Sequence, residues 1–162
     1  MKPLSKIFAG TLILIAGLAY ITTIPKTLQA QNPIALEPDN PEAVLIGSKI
    51  YKTACASCHG ANLEGELNWR QPLPGGGFRA PPHDQTGHTW HHPDANLFYV
   101  TKLGREGFMA TYMNQPGFKS NMVGFGDTYS DEEIIAVLSY IKSTWPARIR
   151  AQHDQINKRS GR

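Results

Sequence analysis

The pentapeptide Cys55-Ala56-Ser57-Cys58-His59 constrains this chain more than any other stretch of its 162 residues. Two thiols three positions apart, followed at once by an imidazole, form the attachment pattern of a c-type haem. The thiols add to the haem vinyl groups as thioethers, and the next residue presents its ring to the iron. On a helical turn, residues three and four apart share a face, so Cys55, Cys58 and His59 can address one flat macrocycle. The competing readings each lack a part. A thioredoxin-like pair wants a surrounding βαβ pattern, and no strand–helix–strand signal flanks the motif. A structural zinc site wants four protein ligands, commonly with a second Cys pair, and the chain's two cysteines are both used here. A lone disulfide leaves His59 without a purpose.

A chain of this length has room for one small domain, and a buried macrocycle supplies apolar area that a short chain lacks. With 15 Gly and 12 Pro, short helices joined by long loops fit better than a sheet. Charge is unevenly spread. From Gln31 to Ala147 there are 8 basic and 12 acidic residues, a net of −4; after Ala147 there are 5 and 1, a net of +4. The basic balance therefore belongs to the tail and gives no case for a nucleic-acid partner. Residues 147–162 read as a solvated, partly disordered basic tail, with docking on an acidic partner or an anionic membrane as the sharper alternative.

Lys2 and Lys6 precede an uncharged run from Ile7 to Ile24, closed by Pro25 and Lys26. Residues 1–30 thus read as a signal peptide or a membrane anchor of near-spanning length. Leu28-Gln29-Ala30 offers a cleavage point with a bulky Leu where a small residue is preferred. Cleavage and retention both stay open, with an uncleaved anchor favoured. In either case the positive flank stays in the cytoplasm and the haem domain is exported, to a periplasmic or other extracytoplasmic location.

Residues 31–40 read as a polar linker with Pro33 and Pro38. Asn40-Pro41-Glu42 then starts a helix: N-cap Asn, Pro at the first position, an acid in the first turn. Apolar positions three and four apart carry it through Val44, Ile50, Tyr51 and Ala54 into the haem motif. Gly47 inside it costs about 1 kcal/mol against Ala, which calls for close approach by another helix. From about Gly60 to Pro93 the Pro and Gly residues predict loop. A second helix runs from Asp94 through Leu97, Phe98, Val100 and Leu103 to a stop at Gly104, followed by a loop with Met109, Met113 and Met122. Ser130-Asp131-Glu132-Glu133 is a capping box that opens the strongest helix, with Ile134, Ile135, Val137, Leu138 and Ile141 as its stripe and Trp145-Pro146 as its end. The fold class expected is all-α, about three to five helices around one haem.

Over residues 41–146 the pattern resembles a class I monohaem cytochrome c of the bacterial type. Gly47-Ser48-Lys49-Ile50-Tyr51 leading into Cys55-Ala56-Ser57-Cys58-His59-Gly60, Ala80-Pro81-Pro82, and Asn121-Met122-Val123-Gly124-Phe125-Gly126-Asp127 before the last helix carry the resemblance. It implies one covalent haem c, axial ligands His59 and Met122, and a crossing of the first and last helices at Gly47 and Tyr140. Val123 stands where the family usually has Pro after the distal Met, so this loop lacks the ring that fixes the backbone there. Met109 and Met113 are competing ligands or ordinary packing residues. By the same resemblance the carbonyl of Pro81 or Pro82 accepts the other ring hydrogen of His59. Trp90 and Arg79 are candidate propionate partners, packing or solvent exposure being the equal alternative.

His83, His88, His91 and His92 form a His-rich loop. It is either a polar cover over one haem edge, the favoured reading, or a copper or zinc site, or the source of a His that displaces Met122. The function expected is transfer of single electrons between redox partner proteins, as a free carrier or as a subunit anchored beside a larger oxidoreductase. The alternatives are a haem enzyme or gas sensor with open iron, and a copper-handling accessory protein using residues 83–92.

Overall fold

Asn40 starts the first helix as its sequence requires: its side-chain oxygen accepts from the amides of Glu42 (3.1 Å) and Ala43 (3.3 Å). The computed structural model describes residues 34–161, so the signal-or-anchor assignment of residues 1–30 lies outside the described residues. Helix α1 (Pro41–Ile50) widens into a π turn at Tyr51–Cys55 and tightens again into α2 (Ala56–His59). The run therefore enters the haem motif unbroken, as expected, but through a wide turn that the periodicity did not announce. Gly60, at φ 81°, ends it.

Helix α4 (Asp131–Ser143) opens on the predicted capping box. Glu133 N donates to Ser130 Oγ (3.3 Å) and Ser130 N donates to Glu133 Oε2 (2.8 Å). Its stripe of Ile134, Val137, Leu138 and Ile141 is buried with Ile50, Tyr51, Leu97, Phe98 and Trp145 in one core. Helices α1 and α4 cross at Gly47, where a Cβ would strike the Ala136 carbonyl and lie 2.9 Å from Tyr140 Cβ. The resemblance expected Tyr140 at that crossing; the Ala136 backbone is the tighter neighbour.

Helix α3 (Asp94–Tyr112) departs from the expected stop. Gly104, at φ 73° and ψ 163°, does break the helix, but a second helical stretch continues to Tyr112. It buries Phe108 and Met109, so Met109 lies in a helix and not in a loop. A short 3₁₀ turn at Thr89–His91 precedes α3.

Two segments read as unstructured are ordered over their described residues, 34–40 and 147–161. Within the linker, Leu36 is buried and donates its amide to Asp94 Oδ2 (3.0 Å), and Glu37 N donates to Ser139 Oγ (2.8 Å). The basic tail folds as helix α5 (Ala147–Arg159), which buries Ile149, His153 and Asn157 at four-residue spacing. Asn157 makes a reciprocal pair with Asp94 across 63 residues: Asp94 N donates to its Oδ1 (2.8 Å) and its Nδ2 donates to Asp94 Oδ1 (2.9 Å). It thereby satisfies an amide that the start of α3 leaves without a helical partner.

Candidate haem site

On the turn from the π segment into α2, Cys55 is half-buried, Cys58 exposed and His59 buried. Burial, with Cys58 beside it, pushes the Cys55 thiol up to about 11, which keeps it a neutral thiol. His59 Nδ1 lies 2.8 Å from Pro81 O. A carbonyl only accepts, so the ring proton sits on Nδ1 and Nε2 keeps a lone pair. Among the described residues, nothing hydrogen-bonds that nitrogen. The geometry selects Pro81 over Pro82, whose carbonyl instead accepts from Thr89 Oγ1 (3.4 Å). Burial, opposed by the Pro81 carbonyl and by Glu66, lowers the affinity of His59 for a second proton, so the ring is held neutral. Tyr51, fully buried, donates its hydroxyl to Gly60 O (2.8 Å) and His59 O (3.3 Å) and so pins the end of the motif.

The His-rich loop divides its imidazoles among different neighbours. His83 stacks on His59 with centroids 3.9 Å apart, bonds Thr89 Oγ1 through Nδ1 (2.8 Å), and is held neutral by burial. Its carbonyl accepts from Trp145 Nε1 (2.7 Å), which ties the loop to the end of α4. His91 is exposed and stacks on Trp90. Trp90 donates its indole hydrogen to Gln85 O (3.3 Å), and Arg79 makes no ion pair among the described residues. His88 lies parallel to Trp69, with its ring 5.4 Å from that of His92. No group of three His, Cys, Asp or Glu among the described residues stands in a metal-holding arrangement.

The His88–His92 pair sits in a positive environment that sequence reasoning missed. Burial is the main cause that lowers both rings, His92 to about 4, and Arg105 adds to it. Arg70 lies over the Trp69 ring (4.2 Å) and Arg105 over Phe118 (5.6 Å), and neither has a carboxylate partner among the described residues. His88 Nδ1 is buried with no hydrogen-bond partner. Two unpaired guanidinium groups and an orphaned ring nitrogen suit a ligand bearing carboxylates. Beside Cys55 opens a cleft lined mainly by Ile50, Ala54, Phe125, Tyr129, Ile134 and Val137. The donor set at the motif thus fits a haem: two thiols on one turn and a neutral imidazole with Nε2 unbonded, beside apolar side chains.

Met122 is half-buried on the segment before α4, whereas Met113 is about half-exposed at the end of α3. Ser120 Oγ accepts from Met122 N (3.1 Å), and Met122 O accepts from Arg105 N (3.2 Å).

Fold and site together define a small helical domain built to hold one covalently attached haem. A family model described as Cytochrome c matches residues 44–145, and the chain belongs to that family. The family implies a covalent haem c and electron transfer with redox partners, and Cys55 and Cys58 fit its attachment motif. No curated protein and no solved structure matches the chain.

Proposed function

We propose that this chain carries single electrons with His59 Nε2 and Met122 Sδ as the two axial ligands of its haem iron. When bound, the haem supplies one chemistry, the gain and loss of an electron at iron. The chain's residues supply the rest. The hydrogen bond from His59 Nδ1 to Pro81 O carries the reading: it fixes the ring tautomer, aims Nε2 and raises its basicity. Tyr51 holds the backbone of the same residue, and Ile50, Ile134 and Val137 of α1 and α4 put apolar surface beside Cys55. Met122 lies on the segment before α4, where the family's distal Met falls. With the haem bound, the Met122 sulfur would join His59 in holding the iron, an arrangement suited to electron transfer.

The test is the weak far-red absorption band of ferric iron bonded to a Met sulfur. The purified protein is expected to show it, and Met122→Ala is expected to abolish it and open the ferrous iron to carbon monoxide. A band that survives in that variant would move the ligand to Met109 or Met113. Rapid carbon monoxide binding by the unaltered protein would favour a ligand-binding haem.

We further propose that the domain works on the exported side of the membrane, held by residues 7–24. Lys2 and Lys6 before that run, and the bulky Leu28 at the possible cleavage point, support this reading. Washed membranes are expected to retain the cytochrome. Its recovery in the soluble exported fraction, shortened to begin near Gln31, would show cleavage instead.

A further inference from the structure

We infer that Gly104 is a positioning residue for Met122: the break it makes in α3 is the clasp that holds the ligand segment. This rests on the reading of Met122 as an axial ligand. A helix break creates unpaired carbonyls on one side and an unpaired amide on the other. Here a single short segment takes two of those carbonyls and one amide. Phe125 N donates to Thr101 O (3.0 Å), Gly126 N donates to Lys102 O (3.0 Å), and Arg105 N donates to Met122 O (3.2 Å). Glu106 Oε1 accepts from Ser120 N (2.9 Å), and Ser120 Oγ accepts from Met122 N, so both backbone polar groups of Met122 are bonded.

Only glycine permits this fit. At φ 73° and ψ 163°, Gly104 lies in a region essentially closed to other residues. A Cβ there would sit 2.6 Å from Gly124 N, 2.8 Å from Val123 C and 2.9 Å from Met122 O. The contact is mutual, since a Cβ on Gly124 would sit 2.7 Å from Leu103 C. Val123 is 65 % exposed, and it is its backbone that lies against Gly104. The rigidity that the family obtains from a Pro after the Met is supplied here from the opposite side, by backbone pairing to a broken helix.

The experiment compares haem-loaded variants by the far-red band and by carbon monoxide binding to the ferrous form. Gly104→Ala is expected to keep the covalent haem but weaken the band and speed carbon monoxide binding about tenfold or more, in proportion to the open fraction. Gly107→Ala, whose added methyl meets only Leu103 Cβ at 3.2 Å, is expected to behave as the parent. Should Gly104→Ala fail to fold, the double variant Glu106→Ala/Ser120→Ala, which removes only exposed or half-buried side-chain contacts, is expected to lose the band at lower temperature than the parent. If these variants keep the parental band and binding rate while Met122→Ala loses the band, the clasp is packing alone and the inference falls. If Met122→Ala keeps the band, the ligand assignment fails and takes the inference with it.

Discussion

Tyr51 spans from the first residue of the π turn to the last of the haem motif, and its buried hydroxyl holds two successive carbonyls. Burial pushes the phenol well up, so it remains a donor throughout the working pH range. Tyr51→Phe keeps the ring that packs on Tyr140 and His83 but removes the donor. The expected cost is about 1 kcal/mol in urea unfolding, with the haem still attached. A loss of attachment would mean that the hydroxyl sets the geometry of the thiols as well. At this scale the sequence was most legible where chemistry demands adjacency: Cys55, Cys58 and His59 stand on one turn as their spacing requires. It was least legible where partners come from distant chain. Nothing in the order of residues says that His59 bonds Pro81 and not Pro82, that His83 stacks upon it, or that Trp90 turns to Gln85.

Between elements, the tightest constraint is the α1–α4 crossing. A methyl at position 47 gains about 1 kcal/mol of helix propensity, yet overpacking costs about 1–3 kcal/mol in a well-packed interior. Here the obstacle is the Ala136 carbonyl, at a separation that real side chains do not adopt. Backbone cannot rotate aside as a side chain can, so the cost wins. Gly47→Ala is expected to be destabilising by up to about 2 kcal/mol net, read as a lower thermal midpoint of the haem-loaded protein. An unchanged midpoint would show that the two helices slide apart freely. The helices with apolar stripes, α1 and α4, were readable from periodicity and caps. Helix α5 was not, because two of its three buried positions, His153 and Asn157, are polar and break no hydrophobic silence. Their burial is made affordable by Asp94 and the His92 carbonyl, partners some sixty residues away. The second half of α3 was hidden for another reason: Gly104 reads locally as a helix end, and only the segment that docks on the break allows the helix to resume.

Across the whole molecule, the basic tail finds its acidic partner within the chain. Arg150 pairs with both oxygens of Asp39 at 2.7 Å, and within α5 Asp154 reaches the buried Lys142 of α4 at 2.7 Å. The Arg150 pair is exposed on its acidic side and contributes at most about 1 kcal/mol, so the buried face of α5 must carry most of its attachment. His153 sits at the centre of that face with no exposed surface. Its Nε2 bonds His92 O at 2.9 Å and stands 3.4 Å from Asp94 Oδ1, and its ring meets the edge of Trp145. Burial, reinforced by Lys142 and opposed by Asp94 and Asp154, lowers its proton affinity below the ordinary value of 6.5. The folded protein therefore keeps this imidazole neutral where the unfolded chain would protonate it, so unfolding takes up a proton. The stabilisation from the neutral ring is complete above pH 6.5 and is lost progressively as pH falls below it. Thermal unfolding followed between neutral and mildly acidic pH is expected to show a falling midpoint. His153→Gln, which keeps a donor but cannot titrate, is expected to flatten that slope whatever it does to the midpoint at neutral pH. An identical slope in the two proteins would remove His153 from the acid response and leave it to the imidazoles of the His-rich loop.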